Sequence, residues 1–126
     1  MFKIENKTIH ITRGDVAIIG VSIKDDDGND YIFTNGDIVR LTVYKNRSCS
    51  TVVLKKDSEA VEGTTNVDID LLSDDTRIGD LINKPVTYCY EIVLNPDTKP
   101  QTIIGYDEEG AKEFILYPEA GDVKND

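Results

Sequence analysis

The side chains able to do chemistry in this 126-residue chain are few and scattered. His10 is the only histidine. It stands between Ile9 and Ile11, so strand alternation turns it away from the core, and a nucleophile–histidine–acid triad has no other imidazole to use. Cys89 alternates with Tyr88 and Tyr90 and reads as packing rather than as a nucleophile. Asp25, Asp26, Asp27, Asn29 and Asp30 make a dense oxygen cluster of the kind a hard cation such as calcium takes. The cluster departs from an EF-hand loop, because Gly28 is misplaced and no glutamate stands at the bidentate position. It reads as a solvated turn. No metal site is assigned, and Asp25, Asp27, Asn29 and Asp30 are the candidate ligands should a cation bind. Asp107, Glu108 and Glu109 form a second acidic turn. Asp68 and Asp70, with Asp74 and Asp75, offer the paired carboxylates a glycosidase needs. Such an enzyme also needs an aromatic-lined cleft, and the chain has no tryptophan. Arg13-Gly14-Asp15 spells an integrin-recognition tripeptide, but it joins two strand-like runs, where Gly14 permits a bend and Asp15 caps the turn. No catalytic residue and no cofactor are assigned, and the chain is expected not to be an enzyme.

The elements that must position these residues are strands. Period-two alternation places Ile9 and Ile11 on one face, then Ala17, Ile19, Val21 and Ile23 within a strand from Val16 to Lys24. Ile18, on the opposite side, suggests burial of both faces there. After the turn at 25–30, Tyr31-Ile32-Phe33 reads as a short strand, and Asn35-Gly36 as a tight turn. From Ile38 to Tyr44, Val39, Leu41 and Val43 point inward and Tyr44 outward. Tyr44 is the candidate interface residue, since tyrosine is enriched where proteins bind one another. Residues 46–50 read as a loop, 51–55 as a strand, 57–65 as a polar loop, and Asn66 to Leu71 as a strand with Val67, Ile69 and Leu71 inward. Ser73-Asp74-Asp75-Thr76 carries helix-start chemistry, giving one or two turns as far as Leu81 or Ile82. Strands follow at 86–94, 101–106 and 112–117, and residues 118–126 are expected to fray.

Eight or nine short strands with turns every eight to twelve residues imply an all-β sandwich or barrel. The length fits a single domain over residues 1–126. A formal charge of −10, from 14 basic and 24 acidic residues, disfavours nucleic acid and anionic membrane as partners. The opening residues Met1 to Asn6 are short and polar, unlike a signal peptide. Cys49 and Cys89 have no metal-ligand spacing, and their spacing leaves open whether they are bridged or separate thiols.

Several blocks in order carry a resemblance: Ile11-Thr12-Arg13-Gly14-Asp15, Asp27-Gly28-Asn29-Asp30-Tyr31, Asn35-Gly36-Asp37 with Ile38-Val39-Arg40-Leu41-Thr42-Val43, Asp75-Thr76, Tyr88-Cys89-Tyr90-Glu91-Ile92, Gln101-Thr102-Ile103 and Phe114-Ile115-Leu116. This succession resembles small immunoglobulin-like virion proteins of phages and prophages of Gram-positive bacteria, of which the N-terminal domain of baseplate upper proteins is the nearest named type. The resemblance implies an immunoglobulin-like antiparallel β-sandwich of about seven to nine strands with one short helical turn. It also implies a structural role in a tail or baseplate, with protein partners, either further copies or other tail proteins, and residence in the virion or, before assembly, in the bacterial cytoplasm. The alternative is a bacterial immunoglobulin-like module that binds carbohydrate or protein and is stabilised by a cation.

Overall fold

Nine strands and one helical turn make up the computed structural model, which describes residues 1–46, 48 and 50–119. In chain order they are β1 (Phe2–Glu5), β2 (Thr8–Thr12), β3 (Ala17–Val21), β4 (Ile38–Tyr44), β5 (Val52–Glu59), β6 (Val67–Leu71), α1 (Ser73–Thr76), β7 (Val86–Leu94), β8 (Gln101–Ile104) and β9 (Lys112–Tyr117). The larger sheet runs β1-β2-β9-β7-β4-β5, with β8 also on β7, and β3 and β6 form the smaller one. Along β7, Val86–Tyr90 pair with β9 and Ile92–Leu94 with β8, while β4 takes the other flank. The chain is therefore an all-β sandwich with one short helix. Its pairing is antiparallel except where β2 runs parallel to β9. Among the described residues, no helix is long and apolar enough to cross a membrane.

The alternation read from the sequence places the core. Val39, Leu41 and Val43 on β4, and Tyr90, Ile92 and Leu94 on β7, are buried against Ala17, Ile19, Val21, Val67, Ile69 and Leu71 of the small sheet. Leu41 and Ile69 are 0% exposed. Ile18 departs from expectation: it is 60% exposed, because the outer face of the two-stranded sheet has nothing packed over it among the described residues.

Other elements differ where hydrogen bonding overrides pattern. Phe2–Glu5 pair with β2 through a two-residue turn whose Asn6 and Lys7 have φ of 49° and 67°. Tyr31–Phe33 form no strand. Their amides go to Ile23 O and Thr64 O, and Phe33 O accepts from Gly63 N, so this segment crosses between loops and buries Phe33. β5 extends to Glu59, beyond the expected limit at 55, because Asp57 and Glu59 pair with Arg40 and Ile38. The helix is a single turn. Leu72 N–H donates to Asp75 Oδ2 at 2.8 Å, and the buried Thr76 hydroxyl accepts from Gly14 N–H at 2.9 Å and donates to Asp15 O at 2.8 Å, tying it to the β2–β3 bend. Pro118 and Glu119 are half-buried rather than frayed, and Glu119 Oε1 lies 3.2 Å from Arg13 Nη1; residues 120–126 of the expected tail lie outside the described residues.

A buried carboxylate organises the start of β4. Asp37 accepts from Tyr31 Oη at 2.7 Å, Thr34 N–H at 2.9 Å and Asn95 Nδ2 at 2.9 Å, while Asn95 Oδ1 accepts from Ile38 N–H at 2.9 Å. Burial opposes ionisation of Asp37, but the bonds from Thr34, Asn95 and Tyr31 outweigh it and hold its carboxyl below the ordinary value of 3.8.

Leu41→Ala is expected to cost about 2–5 kcal/mol in urea unfolding, and Ile69→Asp to prevent folding. Lys7→Gly should stabilise the hairpin by roughly 1 kcal/mol, since glycine relieves the left-handed conformation at that turn position. Asp37→Asn should cost about 1–3 kcal/mol at neutral pH. Because the folded state holds the Asp37 carboxyl below 3.8, its contribution is complete above that pH and is lost as pH falls through the lowered value. The gap in melting temperature between wild type and Asp37→Asn should therefore narrow on acidification.

Candidate functional site

The residues singled out for chemistry are dispersed. His10 is half-buried, with Nδ1 2.8 Å from Tyr117 Oη and the rings stacked at 5.9 Å. Cys89 is buried on β7, in register with Tyr44 and Glu113; the question of its bridge to Cys49 lies outside the described residues. In the 25–30 turn, Asp25 Oδ1 accepts from Asp27 N–H at 3.0 Å and Asn29 N–H at 2.9 Å, and Asp30 pairs with Lys24. Of the candidate ligands Asp25, Asp27, Asn29 and Asp30, the carboxylates of Asp25 and Asp30 are thus engaged by the chain's own donors. Among the described residues, no three Asp, Glu, His or Cys side chains gather in a metal-holding arrangement. The four acids 68, 70, 74 and 75 also part company. Asp68 accepts from Asn66, and Asp74 lies 3.5 Å from Arg77. Burial resists ionisation of Asp75, but Lys56 Nζ, at 2.8 Å, and Leu72 N–H overcome it and lower its pKa. In the tripeptide, Arg13 is buried with Nη2 donating to Gly79 O at 3.0 Å, Gly14 adopts φ of 87°, and Asp15 pairs with the N-terminal amine.

Two surfaces remain. One is the outer face of the larger sheet, where Tyr44 Oη donates to Glu91 Oε1 at 2.5 Å. Beside it the Arg40 guanidinium bridges Asp57, at 2.6 and 3.0 Å, and Asp97, at 3.1 and 3.0 Å. The hydrogen bonds from Arg40 lower the pKa of both carboxyls, and theirs raise that of the guanidinium. A recess of about 220 Å³ here is of mixed polarity, walled by Arg40, Thr42, Tyr44, Val52, Lys55, Glu91, Val93 and Pro96. Tyr44 is half-buried within this hydrogen-bonded face.

The second surface is apolar. On the outer face of the small sheet Val16, Ile18 and Leu72 are 67%, 60% and 58% exposed. They border an open hollow of about 570 Å³ lined by Phe2, Val16, Ala17, Ile18, Asp70, Leu71 and Leu72. Between the sheets nearby, a cleft of about 220 Å³ is lined by Ile4, Lys7, Ile9, Ile19, Gly20, Val21, Ser22, Tyr90, Ile92 and Ile104. Tyr90 forms one wall, with its hydroxyl donating to Lys7 O at 2.6 Å; burial pushes its phenol up to about 12. Val16, Ile18 and Leu72 leave an exposed apolar strip beside the hollow, bordered on β6 by the exposed Asp68 and Asp70. Sequence reading placed Val16 and Ile18 in a strand with both faces partly buried and so missed this surface. The available signal was the uncharged run from Val16 to Ser22, which leaves no polar residue larger than serine for an exposed face.

Comparison with protein-family models, with curated proteins and with solved structures finds no match to this chain.

Tyr90→Phe should cost about 1 kcal/mol, and amide exchange should quicken first in the β1–β2 hairpin, whose turn the hydroxyl holds. Arg40→Met should shift stability by no more than about 1 kcal/mol, since its partners Asp57 and Asp97 are solvent-exposed.

Proposed function

We propose that this chain is a non-enzymatic structural module, an immunoglobulin-like component of a phage or prophage tail or baseplate, that works through protein–protein contacts. The observation that carries the protein-contact part is the uncovered apolar surface formed by Val16, Ile18 and Leu72 with its adjoining hollow. A monomeric soluble domain gains nothing from leaving such side chains in water, whereas an assembly covers them and gains their burial, at about 25 cal/mol per Å². The tail or baseplate setting rests on the ordered blocks of the sequence, from Ile11-Thr12-Arg13-Gly14-Asp15 to Phe114-Ile115-Leu116. The strand order supports an immunoglobulin-like description. The terminal strand β9 lies between β7 and a first-strand segment, β2, that runs parallel to it, and the small sheet pairs β3 with β6. The acidic charge suits partners other than nucleic acid.

The test is the protein composition of particles purified after prophage induction in the strain that encodes the chain. Quantitative mass spectrometry is expected to find it in fixed stoichiometry with tail proteins, and to lose it from the particles on Ile18→Asp. Particles that lack the wild-type chain, together with binding of the purified protein to a glycan array, would turn the assignment to a carbohydrate-binding module.

A further inference from the structure

We infer that the open edge of β3 receives an extended segment of another protein in which apolar residues alternate with lysine or arginine. The inference rests on the protein-contact reading above and adds the chemistry of the partner. Strand β3 pairs with β6 along one side and has no ladder partner along the other among the described residues. Open strand edges are ordinarily blunted by charge, proline or shortness. Strand β1 carries Lys3 and Glu5, β5 carries Lys55, Lys56, Asp57 and Glu59, and β8 is four residues entered through Pro100. Strand β3 reads Ala-Ile-Ile-Gly-Val, five residues with neither a charge nor a proline.

An added strand would present its side chains alternately to two environments. Its inward set would meet the cleft between the sheets, where Ile4, Ile9, Val21 and Ile104 form an apolar wall around about 220 Å³. A dry cavity of about 150 Å³ already holds a benzene-sized group, so the cleft takes one or two aliphatic side chains. The outward set would lie beside Ile18 and Gly20, whose register partners on β6 are Asp70 and Asp68. At Gly20 the missing side chain leaves room for the side chains of the neighbouring strand: a Cβ built there would lie 3.5 Å from Asn66 Oδ1 and 3.6 Å from Asp68 Oδ1, which accepts from Asn66 Nδ2. Two strand spacings, about 9–10 Å, separate an added strand from β6, a span that a long basic side chain crosses by laying its aliphatic stem over Gly20 and meeting the exposed carboxylate. The acidic column on β6 therefore selects a cationic partner. It also disfavours a second copy, since the formal charge is −10 and β3 itself has no cation to offer those carboxylates.

The test uses the whole chain and two capped synthetic heptapeptides, one alternating valine with lysine, the other valine with glutamate. Hydrogen exchange is expected to slow at the β3 amides with the lysine peptide alone, and its affinity to fall with added salt. Asp68→Asn with Asp70→Asn should weaken that peptide roughly fivefold at low salt, and Gly20→Val should weaken it while leaving the circular dichroism spectrum unchanged. Equal binding of the two peptides, or protection away from β3, would overturn the inference. So would salt-insensitive dimerisation of the chain alone that Ile18→Asp abolishes, because the occupant would then be a second copy. A chain found in tail particles but failing these tests removes the edge assignment and leaves the structural role. Salt-sensitive peptide binding by a chain absent from particles supports the edge assignment and removes the tail setting.

Discussion

The packing of two pleated layers through their inner faces holds everything else in this molecule in place. Leu41 and Ile69, both fully buried on opposite sheets, mark the contact, with Val39, Val43, Ile92 and Ile19 around them. Each is there because its neighbours in sequence point the other way. A one-residue slip of β4 would turn Arg40 and Thr42 into the core and expel three aliphatic side chains, so register is enforced by the cost of burying an unpaired guanidinium. The central position of β7 follows from the same economy of surface. Flanked by β4 on one side and by β8 and β9 on the other, it buries side chains on both faces, Cys89 as well as Tyr88 and Tyr90.

Around that apolar contact, a few polar side chains secure the corners where chain direction changes. Asp37 draws the Tyr31–Thr34 segment and the Asn95 turn to the start of β4. Thr76 bonds the bend between β2 and β3 to the helical turn that follows β6. The Tyr90 hydroxyl reaches from the interior to the β1–β2 turn. Buried polar groups of this kind are costly when unmatched, and in each case the partner is a group that the turn itself would otherwise leave unsatisfied. They explain how loops rich in aspartate and asparagine hold defined shapes, and why so many of the chain's acids serve backbone geometry.

The two outer faces have been treated differently. The larger sheet shows solvent a hydrogen-bonded surface in which Arg40, Asp57, Asp97, Tyr44 and Glu91 answer one another. The smaller sheet shows Val16, Ile18 and Leu72, with an uncharged open edge and two recesses beside it. On that face the exposed aliphatic side chains stand beside the carboxylates of Asp68 and Asp70, so apolar and acidic groups share one surface.

Which residues lie inside was written locally. The strands β2, β4 and β6 and their buried faces follow from period-two alternation, β7 and β9 are legible as strands, the turns follow from glycine, asparagine and aspartate, and the all-β class from the number of strands. That Cys89 and Lys112 are buried as well is decided by the neighbouring strands and turns. What the sequence could not disclose is which edges meet. Pairing of β2 in parallel with β9 joins residues more than a hundred positions apart, and no local signal encodes it. The same holds for Tyr31–Phe33, strand-like by composition but drawn into a loop by Thr64 and Gly63, and for β1, too polar to read as a strand until β2 supplied its partner. The exposed face of β3 is the clearest instance. Alternation shows that Ile18 opposes Ile19, but whether a second layer covers Ile18 depends on how many strands the small sheet recruits, and only the assembled tertiary structure decides that. Alternation acts between neighbours along the chain, whereas covering a face depends on which distant strands arrive beside it.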